Sequence, residues 1–288
     1  RPYRLQEAEF RKVDANLLDR NQRRIESLVE TGKVQFLIVI PPDFSQRVVR
    51  GERPALLVSV DATDPSASGN AIAALNAVAT QALRHDVQQG PLRSLQSAPA
   101  PYEVRIHRRY NPEGLSRYNI VPGLIGTILT MTMVMLTSLA MTRERERGTM
   151  ENLLATPVRP VEVMAGKILP YVVMGYIQLG VILGAAFALF QVPMEGSFLL
   201  LMSMIGVFIV ANLAVGFTFS TIARNQLQAM QMTFFFFLPS MLLSGFMFPF
   251  RGMPLWAQVL GEVLPLTHFL RIVRGIVLKG STAAELWP

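Results

Sequence analysis

Four long stretches of this chain carry no charged residue, and they decide the fold class. The runs are Tyr118–Thr142, Ile168–Met194, Gly196–Ala223 and Asn225–Phe250, of 25, 27, 28 and 26 residues. A bilayer core of ~30 Å is crossed by about 20 apolar residues in a helix. Each run is longer than that and apolar all round, without the polar face of a surface helix. The expected fold is a mainly α membrane protein with four transmembrane helices, near 119–141, 166–190, 198–222 and 228–250. Gly180 and Gly184 form a G-x-x-x-G, the spacing that lets membrane helices approach closely. It predicts a helix contact within the subunit rather than a seam between two copies.

Everything before the first run is different in kind. Residues 1–118 hold 17 of the 27 Lys and Arg and 13 of the 20 Asp and Glu, whereas all 15 Met lie at or after Met131. Bases and acids are interleaved there, so a sequence pI near 10.1 does not point to nucleic acid. The chain has no cysteine and only three histidines, which excludes a thiolate zinc site, a cysteine nucleophile and a disulfide scaffold. Residues 1–118 read as an α/β domain. Val34–Ile40 is a strand closed by Pro41-Pro42, and Asp43 is placed to cap a short helix to Arg50. Ala55–Val60 is a second strand, and Val104–Tyr110 a third. A helix starting at Ser66 or Ser68 carries Ile72, Leu75, Val78, Ala79 and Leu83 as one apolar stripe. Residues 7–31 read as a polar helix and Gln96–Pro101 as a linker. Asp61 and Asp64 flank a turn before Pro65, which accounts for them better than an acid–base pair.

Orientation follows from the short loops. The loop 142–167 carries Arg143, Arg145, Arg147, Arg159 and Lys167, and the loop near 223–227 carries Arg224. The loop 191–197 carries only Glu195. The positive-inside rule puts the first two in the cytoplasm and residues 1–118 outside. The segment 251–280 then falls outside although it carries Arg251, Arg271, Arg274 and Lys279, against the rule.

The most informative stretch is Thr142-Arg-Glu-Arg-Glu-Arg-Gly-Thr-Met-Glu-Asn-Leu-Leu-Ala-Thr-Pro157. Charges alternate up to Gly148. Thr149 can then cap a short helix with Met150, Leu153 and Leu154 on one side. Such a helix rests either on lipid headgroups or on a protein, and the interspersed acids favour a protein over anionic lipid. These residues resemble the signature after the second span of permease subunits with the ABC (ATP-binding cassette) type-2 transmembrane domain. A second block resembles the fifth span and re-entrant outer hairpin of that family: Leu238-Pro-Ser-Met-Leu-Leu-Ser-Gly-Phe-Met-Phe-Pro249, Met253-Pro254, Pro265-Leu-Thr-His268 and Arg271–Gly280. The likeness is nearest to bacterial multidrug-type export permeases, whose outer domain has a strand and turn similar to Ile38–Phe44.

The resemblance implies a six-span pattern, and hence a fragment lacking the first and last spans, with residues 119–288 as the transmembrane domain. It implies a multi-pass protein of the bacterial inner membrane, with 142–165 as a cytoplasmic coupling loop and 251–280 as a re-entrant outer segment whose Arg and Lys would reach outer headgroups by snorkelling. It implies two copies of an ABC ATPase subunit as partners, a second permease half, identical or homologous, and an optional periplasmic adaptor. The docking positions would be Glu144, Glu146, Gly148, Thr149, Met150, Glu151, Leu153, Leu154 and Pro157, with the two glutamates meeting bases on the ATPase. No G-x-x-x-x-G-K-[ST] occurs, so no cofactor and no ATP hydrolysis are expected of this chain. Gln178, Asn212, Phe234, Phe237 and Phe246 are candidates for an export path suited to an amphiphilic or drug-like substrate. Rival functions are a membrane receptor or adhesion module without an ATPase partner, and a lipid enzyme using Glu262 and His268.

Overall fold

The structure is a computed structural model, and it describes residues 34–82, 102–148 and 160–286. The chain divides into two compact units at Gly114 and Leu115.

In the first unit a three-stranded sheet has the order β1 (Phe36–Val39), β2 (Ala55–Asp61), β3 (Glu103–Arg109). β1 runs antiparallel to β2, pairing Phe36 with Val60, and β2 runs parallel to β3, pairing Ala55 with Glu103. A parallel pair requires a long crossover, and α2 (Pro65–Ala82) lies in it; α1 (Phe44–Val49) joins β1 to β2. Val58, Val60 and Ile72 form the buried core, with Leu75 packed on it. Val78 is 66% exposed, so the expected stripe on α2 is buried only in its first half, where the short strands reach. The expected residues 7–31, 96–101 and Leu83 lie outside the described residues.

Local polar chemistry differs from expectation at two helix starts. Asp43 makes no capping bond and pairs with Arg47 at 3.0 Å instead. α2 begins at Pro65, one residue ahead of Ser66, with Asp64 Oδ1 accepting from the Ala67 amide at 3.2 Å. Asp61 Oδ1 accepts from the Thr63 amide at 3.1 Å, which makes both aspartates turn and cap residues.

The second unit is a helical bundle of α3 (Arg117–Glu146), α4 (Pro160–Phe190), α5 (Phe198–Ile222) and α6 (Gln226–Leu243). Among the described residues three helices are long and apolar enough to cross a membrane, within Arg117–Glu146, Ala165–Phe190 and Phe198–Ile222. The fourth expected span is shorter than its uncharged run. α6 has 18 residues, about 27 Å of rise against a ~30 Å core. It stops because the chain turns at Gly245, whose φ is +86°, so 244–249 is uncharged without being helical. The loop after α3 is also shorter than expected. Residues 142–146 continue α3, and α4 starts at Pro160, a residue suited to a first helical turn.

α7 (Leu255–Val263) and α8 (Pro265–Arg274) follow, and α8 continues into a π-turn, Gly275–Lys279. α8 is packed into the bundle: Leu266, Phe269, Leu270 and Val273 are buried, and Phe269 stacks on Phe208 of α5 with centroids 3.9 Å apart. Its bases are used internally. Arg271 holds Glu262 of α7 with both guanidinium nitrogens, at 2.5 and 3.1 Å, and lies 4.6 Å over the Phe250 ring. Arg274 donates to the Gly245 carbonyl at 3.2 Å. For these two arginines, internal pairing replaces the expected snorkelling.

Candidate functional site

Three consecutive residues at the end of α3 each reach a different helix. Successive helical residues point about 100° apart, so Glu144, Arg145 and Glu146 fan out around the axis. The Glu144 carboxylate forms an ion pair with Lys167 near the start of α4. Arg145 Nη1 donates to the Thr221 carbonyl, 3.2 Å away in the last turn of α5. That carbonyl is one of the four that a helix end leaves unsatisfied, at the negative end of the helix dipole. Glu146 Oε1 accepts from the Gln226 amide, 2.8 Å away at the first residue of α6, and its other oxygen accepts from the Gln226 side chain. An anion there meets free N–H groups at the positive end of a dipole. Asn225 Oδ1 caps the same end, accepting from the Gln228 amide at 2.8 Å.

The arrangement ties the ends of four helices together just before the chain leaves α3 at Gly148, where φ is +68°. One of these contacts is a half-buried ion pair and the others are exposed hydrogen bonds, and contacts of this kind contribute only about 0.5–1.5 kcal/mol each, so the importance of this cluster is positional. It also brings both basic loops to one end of the bundle. At the opposite end the loop after α4 meets the π-turn, with the Glu195 amide donating to the Val277 carbonyl at 3.1 Å.

Glu144 and Glu146 were expected to meet bases on a partner, but both are engaged within the chain. Lys167 pairs with Glu144, Gln226 with Glu146 and Thr221 with Arg145; Thr221 and Gln226 were not singled out from sequence, and no local signal marks any of the three pairings, because each joins segments at least 23 positions apart. Gly148 is described; Thr149, Met150, Glu151, Leu153, Leu154 and Pro157 lie outside the described residues.

The five expected path residues do not converge. Gln178 Oε1 accepts from Thr132 Oγ1 at 2.8 Å, joining α4 to α3. Asn212 is fully buried in α5, where its Nδ2 donates to the Phe208 carbonyl at 2.9 Å. Phe246 sits on α3 over Gly123, at whose Cβ position its ring would lie 2.0 Å away. Phe234 is exposed and Phe237 half-buried. A small apolar cavity of about 20 Å³ lies elsewhere, at the Glu195 end, lined by Val121, Ile125, Phe187, Val192, Leu201 and Val277 among others. None of the five lines it. The reason is chemical: amides buried among apolar helices bond to the nearest hydroxyl or carbonyl, and a large ring fills the notch left by a glycine. No group of three or more metal-ligating side chains occurs among the described residues.

The family model described as ABC-2 family transporter protein matches residues 19–288. The chain is 30% identical to the probable multidrug ABC transporter permease YbhS of Escherichia coli (strain K12), covering 95% of this chain and 72% of that protein. It is 30% identical to the inner membrane transport permease YhhJ of the same strain, covering 90% and 69%. ABC transporter G family member 20 of Dictyostelium discoideum is 27% identical over 56% of this chain and 22% of its own length. No solved structure matches significantly. The match runs through the apolar helices, their clamped ends and the segment between α3 and α4, and on that ground the chain is an integral membrane protein that belongs to the ABC-2 transporter family.

Proposed function

We propose that this chain is the transmembrane permease subunit of an ATP-binding cassette exporter of the inner membrane. It moves an amphiphilic or drug-like substrate outward, and residues 1–118 stand on the outer side. Energy comes from two copies of a separate ATPase subunit, docked on residues 149–159. A second permease half, identical or homologous, completes the pathway, with or without a periplasmic adaptor. The names of the relatives, multidrug and transport permeases, support this reading.

The observation that carries it is the clamp at Glu144, Arg145 and Glu146. A push on 149–159 arrives at α3, and the clamp passes it to α4, α5 and α6 at once. Packed helices respond by moving as bodies rather than by bending. In this reading the glutamates are not docking residues. They sit behind the docking segment, and Met150, Leu153 and Leu154 supply its apolar contact.

The test is co-purification with an ATP-binding protein, followed by reconstitution of the complex in proteoliposomes. ATPase activity stimulated by lipophilic cations, dyes or lipids, with outward movement of the stimulating compound, is expected. A chain that purifies with no ATP-binding protein favours the receptor reading, and absence of any stimulation removes the drug-like substrate.

A further inference from the structure

The long helices of the bundle are not held in the same way. α3, α4, α5 and α8 share one apolar core, in which Met133, Leu179, Ile209 and Leu270 are each at most 1% exposed. Among the described residues none of α6 belongs to that core. α6 buries Ala229, Thr233 and Ser240, with Ser244 just beyond its end. Its opposite side, with Leu227, Phe235, Leu238 and Leu242, is exposed. The half-buried Phe236 touches α5 edge-on through Phe219, with centroids 5.6 Å apart.

α6 runs antiparallel to α3, and three contacts mark the pair from end to end. Glu146 holds Gln226 at the clamped end. Ser138 and Thr233, both buried, meet at 3.1 Å in the middle. At the far end the Phe246 ring fills the place of a Cβ on Gly123. The hydroxyls along the seam also bond within their own helices. Thr233 Oγ1 donates to the Ala229 carbonyl at 2.9 Å, Ser240 Oγ to that of Phe236 at 2.7 Å and Thr142 Oγ1 to that of Ser138 at 2.7 Å. Those bonds survive if the two helices part. Parting the core would instead pull interdigitated apolar side chains out of contact.

The far end is also where the backbone can redirect α6. Residues 244–249 are not helical, and Gly245 has φ +86°. Two side chains fix that turn to core helices: Phe246 on α3, and Arg274 of α8, whose Nη2 donates to the Gly245 carbonyl at 3.2 Å. α7 rests on the same end, with Gly261 against the Leu243 carbonyl, and the bend at Leu264-Pro265 lets it follow.

We propose that α6 is a hinged strap. It stays fixed to α3 at Glu146, and its Gly245 end lifts away when Phe246 and Arg274, the latch, let go. The seam with α3 opens from that end while α3, α4, α5 and α8 keep their packing. Its use in export rests on the function proposed above, but the motion belongs to this chain and is read without an ATPase.

The chain has no cysteine, so pairs of spin labels can be placed on introduced ones and their separation measured by pulsed electron paramagnetic resonance. Labelled chain is diluted with unlabelled chain, which restricts the distances to one copy. Ile128→Cys on α3 is paired with Leu242→Cys for the latched end and with Val210→Cys on α5 as reference; all three positions are exposed. Arg143→Cys with Leu227→Cys reads the clamped end. Phe246→Ala and Arg274→Gln, made separately, should each raise a longer 128–242 distance about threefold or more in population over the unlatched fraction of the parent. The 128–210 and 143–227 distances should not change. Hydrogen exchange over 236–243 should rise in the same variants, with 205–212 unaffected. If Phe246→Ala does not fold, Gly123→Ala, which crowds the same ring, is read by the same criterion. An unchanged 128–242 distance in the latch variants overturns the proposal. So does equal lengthening of 128–210, which would mean that the core opens too, or lengthening of 143–227, which would put the moving end at the clamp.

Discussion

At the scale of single residues, close helix packing depends on glycines whose Cβ position is already occupied. A Cβ on Gly216 of α5 would lie 2.6 Å from the Val134 carbonyl and 2.9 Å from Thr137 Cβ, both on α3. Backbone cannot yield as the end of a side chain can, so Gly216→Ala must push α3 and α5 apart. Overpacking of this kind costs about 1–3 kcal/mol, and Tm measured in detergent should fall. Gly180 and Gly184 have nothing within 4 Å of their Cβ positions. Gly184→Ala should therefore be neutral, or stabilising by up to about 0.5–1 kcal/mol through helix propensity. Equal losses in the two variants would refute this account. The G-x-x-x-G spacing predicted a contact that α4 does not make. Spacing shows that two small residues share a face, but not whether a neighbour lies against it. Gly216 has no such spacing to announce it, because its partner is the backbone of another helix.

At the scale of elements, the ends of helices are where polar chemistry can be tested. Asn225 caps α6 and Glu146 accepts from its first amide. Asn225→Ala should cost about 1 kcal/mol, seen as faster hydrogen exchange over residues 226–230 with little change in α5. At the opposite end, Arg271 ties α8 to α7 through Glu262, alongside Thr267 Oγ1, which donates to the Gly261 carbonyl at 2.6 Å, and His268 Nε2, 2.7 Å from the Glu262 carbonyl. Arg271→Ala should speed exchange across α7, whose Leu255, Val259 and Val263 are largely exposed. α8 should stay protected, since its apolar residues are buried; simultaneous loss of protection in both would show that the ion pair is not what separates their stabilities. Much of the element layout was legible. Pro41-Pro42 and Pro65 mark strand and helix boundaries, and three uncharged runs became helices with ends near those expected. What was not legible is instructive. Absence of charge is a statement about solvent, not about φ and ψ, so it ran past the turn at Gly245. Presence of charge likewise hid the last turn of α3, because Glu and Arg are good helix formers and here their side chains have helices to hold.

At the scale of the whole molecule, the clamp and the docking reading of Glu144 make opposite predictions. Suppose Glu144 met a base on the ATPase. Then Glu144→Lys would break that contact, and changing Lys167 could not repair it. Suppose instead that Glu144 acts through its ion pair with Lys167. Then Glu144→Lys places two cations side by side at the junction of α3 and α4, and like charges so placed repel. ATP hydrolysis should continue while substrate movement falls, about tenfold for each 1.4 kcal/mol of coupling lost. Lys167→Glu alone should do the same with two anions. The double exchange, Glu144→Lys with Lys167→Glu, restores an attractive pair of reversed sense and should recover most of the coupling. A thermodynamic cycle over the four proteins isolates the pairwise contribution from effects on insertion or stability. Measured as transport per ATP hydrolysed in proteoliposomes, recovery in the exchange identifies a clamp inside the permease. Additive losses would return Glu144 to the surface that faces the motor, and the apparent rigid coupling of the four helix ends would then have to come from Arg145 and Glu146 alone.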